Sequence, residues 1–333
     1  MKKILSIKIE ENIYLASWIF LLILGLIFTY NLEKIFPDKY FYDSKTILNM
    51  IKMKDFYDGS GDSNGLTAYI FSFIPIKKLR DYNIFLYLIF IGFFFNFLLK
   101  VPRTIKFYIL NFMYLFLSII YLLRPGKEFL QLVMLGFCYF YRKYIPLFLI
   151  VGGIIFRQYL ILQAGIYIGI WILVNKKNKK IWFIVLLILF VLLNIKFPEL
   201  IFKIFSVRDG VNKYRIDSVD AKTIILNIFQ GKSIMFYYIN YLINFFRLLF
   251  PIELILKNIK YIPYIVFQIW LSLKLWNWRK KLKHEYVILL YSYILVSILF
   301  EPDFGSFLRH TVPYFIFILY LEEKSEKNII YNK

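Results

Sequence analysis

The sequence has one cysteine, Cys138, and two histidines, His284 and His310, in 333 residues. A lone cysteine within an apolar run makes no internal disulfide and is silent on redox compartment. Two histidines without cysteine neighbours form no metal-ligand cluster, so neither a metal nor a cofactor is expected. Acid is scarce too: 21 Asp and Glu stand against 42 Lys and Arg, a net charge of +21. Also lacking are a polar stretch of domain size, a linker between domains, an internal repeat at a solenoid period, and a small-residue cleavage site behind the first apolar run. The chain therefore reads as a single integral-membrane domain over residues 1–333, its first run kept as a span.

What fills the chain instead is apolar. Hydrophobic residues make up 60% of it and aromatics 21%, more than one soluble core can hide from water. Apolar runs of roughly 13 to 19 residues recur from Ile13 to Leu321 between charged or Pro/Gly breaks, which is the pattern of membrane helices rather than barrel strands. Most of the Lys and Arg cluster at the ends of these runs, where they orient helices; no nucleic acid partner is expected.

The fold class this predicts is all-α, a polytopic transmembrane helical bundle of about ten spans with both termini cytoplasmic. Crossings are placed at Ile13 to Tyr30, Asn83 to Leu99, Ile105 to Leu123, Phe129 to Tyr141, Tyr144 to Phe156, Gln158 to Val174, Ile181 to Phe197, Ile259 to Leu275, Tyr286 to Phe300 and Phe307 to Leu321. The inner segments then hold Lys2, Lys3 and Lys8; Lys100, Arg103 and Lys106; Arg142 and Lys143; Lys176, Lys177, Lys179 and Lys180; and Arg279 to Lys283, as the positive-inside rule asks. Every aspartate falls outside: Asp38, Asp43, Asp55, Asp58, Asp62, Asp81, Asp209, Asp217, Asp220 and Asp303. A rival topology lets Leu66 to Ile76 cross and fuses Tyr144 to Val174, but it moves Lys100, Arg103, Lys106, Arg142 and Lys143 outside. In the preferred one, Leu66 to Ile76 and Ile234 to Phe250 are re-entrant or interfacial helices. Two outer loops result, 31–82 and 198–233, the first carrying an Asp-Gly-Ser-Gly-Asp-Ser-Asn-Gly turn from Asp58 to Gly65.

A charge at membrane depth costs about 2.5 to 3.5 kcal/mol on insertion scales, so each needs a partner, a wet cavity or an interface. Arg157 sits between Phe156 and Gln158 in a run otherwise almost free of charge; it reads as a snorkelling arginine or as an anion site. Glu301 to His310 runs Glu-Pro-Asp-Phe-Gly-Ser-Phe-Leu-Arg-His into the last span. Asp303 and Ser306 suit a helix start, Ser306 and His310 share a face, and Arg309 in a first turn would oppose the helix dipole unless an anion offsets it. Asn240, Asn244 and Arg247 make a polar stripe, read as the wet face of a cavity-lining helix. Arg124 to Glu128 reads as an outer turn, and Arg208 to Asp220 as a solvated mixed-charge loop. Asp43, close behind the first span, is either surface or a general base toward a sugar hydroxyl.

The layout of spans, the Arg-Pro-Gly-Lys-Glu turn at Arg124 to Glu128, the Arg157 helix and the closing Gly-Ser-Phe-Leu-Arg-His at Gly305 to His310 together resemble the bacterial polysaccharide repeat-unit polymerases of the O-antigen and capsule type (Wzy-like, including exopolysaccharide polymerases). The resemblance covers most of the chain as a pattern. It departs from many relatives, which carry one dominant outer loop late in the chain where this one splits the outer mass in two. It implies a multi-pass protein of the bacterial cytoplasmic membrane that joins polyprenyl-diphosphate-linked oligosaccharide repeat units on the outer face. Membrane lipid, a flippase and a chain-length regulator are the implied partners. Arg157, Arg247 and Arg309 would then bind the diphosphate, whose growing negative charge fixed guanidiniums stabilise without a metal. Asp43, Asp303 or neutral His310 would take the acceptor proton. Two other classes stay open: a C-type glycosyltransferase using a polyprenyl-phosphate donor with Asp43 as base, and a lipid-linked oligosaccharide flippase or other transporter.

Overall fold

A computed structural model describes residues 8–56, 64–98, 102–215, 223–229, 231 and 233–331. Asp58, Asp62, Asp217, Asp220, Lys2, Lys3, Lys100 and most of the Asp58 to Gly65 turn lie outside the described residues. The described chain is all helical, with two isolated bridges, Lys8 with Thr104 and Ile224 with Asp303, in place of any strand.

The longer helices, in chain order, are α1 (Glu11–Tyr30), α2 (Tyr42–Met53), α3 (Asn64–Ser72), α4 (Leu79–Leu98), α5 (Ile105–Tyr121), α6 (Lys127–Phe140), α7 (Ile145–Ile155), α8 (Tyr159–Asn175), α9 (Lys179–Lys196), α10 (Pro198–Arg215), α11 (Ile234–Leu249), α12 (Ile262–Trp278), α13 (Glu285–Phe300), α14 (Phe304–Thr311) and α15 (Phe315–Tyr331). Each expected crossing coincides with a helix or with the α14 to α15 stretch. The count of spans differs. Two helical stretches are long and apolar enough to cross a membrane, Glu11–Tyr30 and Phe304–Ser325; the pair α9 and α10, bent by 90° at its junction, makes a third if taken as one broken span. The physical reason is length. Charged and Pro/Gly breaks end α5, α8, α11 and α13 at 16 or 17 residues. Such helices are roughly 24 to 26 Å long, short of the ~30 Å of bilayer hydrocarbon.

The expected outer loops are mostly helical. Residues 31–82 hold α2 and α3, and the start of 198–233 is α10, whose mixed charges punctuate an 18-residue helix rather than a solvated loop.

Contacts divide the chain into two compact units interleaved in sequence: residues 1–141, 151–158 and 311–333, and residues 142–150 and 159–310. In the first unit α1 packs on α4 through an aromatic ladder in which Trp18 meets Phe94 at 5.7 Å. The approach is close at Gly25, where an added Cβ would lie 2.3 Å from the Tyr87 hydroxyl, itself donating to the Leu22 carbonyl at 2.7 Å. Small residues let membrane helices approach in this way.

In the second unit α13 is the central rod. Its sequence is apolar on every side, and α8, α10, α11 and α12 cover it, so that Tyr286 to Leu290, Tyr293, Val296 and Ile298 are all buried. Gln163 of α8 reaches the Leu289 carbonyl and the Ser292 hydroxyl at 3.5 Å each. α9 is equally apolar all round, yet none of its residues is buried. Ile181, Phe183, Ile184, Leu187, Leu189 and Phe190 are all exposed, with Lys179, Lys180 and Lys196 at the two ends. A helix of that kind has no stable place in water.

Candidate functional site

In the second unit, the site begins where α13 stops. Pro302 cannot extend a helix, and the chain turns at Glu301 and Pro302 before Asp303 starts α14. Asp303 is a helix cap: one carboxylate oxygen accepts from the Ser306 N–H at 2.7 Å and the other from the Ser306 hydroxyl at 3.1 Å. The turn throws Glu301 back against the helix it precedes. Its Oε1 lies 2.6 Å from Nδ1 of His310, and both side chains are buried. Tyr159 flanks the imidazole, ring centres 6.4 Å apart.

Arg309 stands half-buried beside His310. The expectation that it opposes the helix dipole is corrected. α14 closes at Thr311 into a 3-10 turn at Val312–Tyr314, so Arg309 and His310 occupy its last turn, where positive charge is favoured. The cause is Pro313, which has no N–H to give to the carbonyl four residues back.

An extended strap, residues 223–229, lies against this start of α14. The Phe304 N–H donates to the Thr223 carbonyl at 3.2 Å and the Ile225 N–H to the Pro302 carbonyl at 2.9 Å. The polar stripe of α11 grips the strap from elsewhere in the same unit. Asn240 accepts from the N–H groups of Ile228 and Phe229, each at 3.1 Å, and donates to the Phe229 carbonyl at 2.7 Å. Asn244 donates to the Asn227 side chain at 3.0 Å, and Arg247 donates to the Leu226 carbonyl at 2.7 Å. The stripe is therefore taken up chiefly by the strap rather than by open water; Asn240 and Asn244 are 3% and 1% exposed. Arg247 also makes a forked pair with Glu253, both bonds 2.8 Å.

In the first unit, Arg157 lies in the break between α7 and α8 and pairs with Glu128 of α6 at 2.6 Å, with both side chains under a tenth exposed. This corrects the image of a snorkelling arginine. The Arg124 to Glu128 turn is largely buried within the protein: Arg124 donates to the Tyr40 carbonyl and stands 5.7 Å from the Phe41 ring. Asp43 lies exposed in the first turn of α2. The expected diphosphate ligands thus divide, Arg157 in one unit and Arg247 and Arg309 in the other. Among the described residues no group of three His, Cys, Asp or Glu is placed to hold a metal ion.

Comparison with protein-family models, with curated proteins and with solved structures finds no match.

Sequence reasoning attended to the aspartates, but among the described residues every buried carboxylate is a glutamate: Glu128, Glu301 and Glu322, paired with Arg157, His310 and Lys106. The available signal was an uncompensated cation in an apolar run, which demands a buried acid somewhere. Arg208 was missed as well. The sequence pattern places it in a solvated loop, yet it is 4% exposed, donating to the Ile298 carbonyl at 3.1 Å and to the Asn227 side chain.

Proposed function

We propose that the protein is a membrane enzyme of the polysaccharide-polymerase type, joining polyprenyl-diphosphate-linked repeat units on the outer face of a bacterial cytoplasmic membrane. The observation that carries the reading is the buried Glu301–His310 pair, with Arg309 next to His310 in sequence on the same helix. A carboxylate on Nδ1 fixes the ring and its tautomer, so that Nε2 is the atom that takes a proton, while the neighbouring guanidinium suits a phosphate. An acceptor hydroxyl oxygen attacks the anomeric carbon of the donor sugar and passes its proton to Nε2. The bond from that carbon to the diphosphate breaks, and the polyprenyl diphosphate leaves with the electron pair, its charge met by Arg309. Asp303 holds the start of α14 and is not needed as a base. Arg309 follows from the same helix end as His310, so we give the leaving group to Arg309, with Arg157 and Arg247 held by Glu128 and Glu253.

The membrane part of the reading rests on the exposed apolar surface of α9 and on the two long apolar stretches. α9 is roughly 27 Å long, close to the hydrocarbon thickness, with lysines at both ends. We retain about ten spans with cytoplasmic termini as the arrangement, the shorter helices crossing where the bundle thins the bilayer. Asp43, exposed behind the first helix, keeps the C-type transferase as the second reading.

The test is product length. Purified chain in liposomes, given a polyprenyl-diphosphate-linked oligosaccharide, should yield a ladder of repeat units on a gel. A single added sugar from a polyprenyl-phosphate donor would transfer the assignment to the C-type enzymes, and transbilayer movement without a new bond would transfer it to a flippase.

A further inference from the structure

Arg208 differs from Arg157 and Arg247 in its company. Arg157 and Arg247 each face a carboxylate, whereas no carboxylate comes within ion-pair distance of Arg208 among the described residues. Its two bonded nitrogens donate to neutral oxygens, of Ile298 and Asn227, and its Nε has no partner. The neighbouring carboxylate, Asp209, accepts from Asn227 Nδ2 at 2.7 Å. Burial disfavours a charged guanidinium unless its surroundings offset the charge. The carbonyl end of α13, at Ile298, offsets a part of that as the negative pole of a helix dipole.

The same guanidinium lines a pocket with Phe205, Asn227, Tyr237, Asn240 and Tyr241, with room for about one water molecule. Its walls are rigid. Asn240 and Asn227 are fixed by the strap, and the Tyr241 hydroxyl donates to the Leu295 carbonyl at 3.0 Å. A space of one oxygen, a buried positive charge and a fixed polar wall suit the terminal oxygen of a larger anion better than a whole free ion.

We propose that Arg208 is an anion-recognition residue of the second unit, and that its pocket receives a terminal oxygen of a phosphate or diphosphate ester. The anion site stands on this geometry by itself; a prenyl diphosphate as its source rests on the polymerase reading.

Calorimetry on the purified full chain in detergent tests it, with inorganic diphosphate, farnesyl diphosphate and, as a neutral control, farnesol. The wild-type chain should bind a phosphorylated probe saturably and farnesol much more weakly. Binding of farnesyl diphosphate alone identifies a lipid headgroup, and equal binding of both phosphorylated probes identifies a soluble phosphate compound; either supports the site. Arg208→Gln keeps a donor for the Ile298 carbonyl and removes the charge, and should weaken the phosphorylated probe about tenfold or more. Undiminished affinity in Arg208→Gln would make Arg208 only a cap for α13 and overturn the proposal. Equal binding of farnesol and farnesyl diphosphate by wild type would overturn it even if the variant failed to fold. A chain that binds farnesyl diphosphate through Arg208 but builds no ladder keeps this site and loses the polymerase reading.

Discussion

Glu301 Oε1 and His310 Nδ1 are 2.6 Å apart across the turn that joins α13 to α14, nine residues apart in sequence and both out of solvent. That spacing exists because Pro302 ends one helix and Asp303 caps the next, folding the chain back on itself. Glu301→Gln keeps the side chain's size and its hydrogen bond but removes the charge that stabilises an imidazolium and selects the tautomer. Polymer formation in Glu301→Gln should fall by about 10² to 10⁴-fold with substrate binding nearly unchanged. Glu301→Asp should recover a part of it. A rise in KM with unaltered kcat would mean that the pair only shapes the binding site.

Gly65 lies in the first turn of α3, close to the backbone of Phe56. A Cβ there would sit 2.0 Å from the Phe56 carbonyl oxygen, which is main chain and has no rotamer to retreat into. Gly65→Ala should cost about 1 to 3 kcal/mol through forced backbone shift, and Gly65→Val more. Thermal unfolding of the detergent-solubilised variants measures this. A melting temperature equal to wild type in Gly65→Ala would show that α3 slides at no cost.

The strap depends on a single side chain more than on any other. Asn240 makes three hydrogen bonds to the backbone of Ile228 and Phe229 and is 3% exposed. Asn240→Leu is close in size and strands three strap groups, each worth about 1 to 3 kcal/mol if left dry. The expected result is faster amide hydrogen exchange confined to 223–229, read by mass spectrometry, with α13 unchanged. Exchange spread evenly over the second unit would instead make Asn240 part of its core.

The helices were legible because length and apolar runs set them locally. α1, α5, α9 and α13 begin and end within a few residues of where hydropathy puts them. Nothing local separates α9 from α13, though: both are apolar on every face, and only packing leaves one bare and surrounds the other. The site was half legible. The Asp303 cap and the shared face of Ser306 and His310 follow from spacing along one helix. The partners of Arg157, Arg247 and His310 do not, since Glu128 is 29 residues away and reaches Arg157 only after tertiary folding. Asn240, Asn244 and Arg247 were recognised as a stripe, but a stripe at helical spacing does not say whether water or a strap will cover it.

Arg157 and Glu128 give the prediction that separates structure from catalysis in the first unit. Their side chains are 7% and 8% exposed and 2.6 Å apart, so losing one partner leaves a buried charge without this counter-charge. Arg157→Ala or Glu128→Ala alone should cost about 3 to 5 kcal/mol, and their failure to make polymer would say little about chemistry. The double replacement Arg157→Met with Glu128→Leu removes both charges and keeps volume, and such swaps are near neutral or stabilising. Its melting temperature in detergent should return to within a few degrees of wild type. If the restored protein builds the full ladder, Arg157 is an internal brace and the diphosphate belongs to the arginines of the second unit. If it folds as well as wild type and builds none, the ion pair opens during turnover and Arg157 takes a phosphate in place of Glu128.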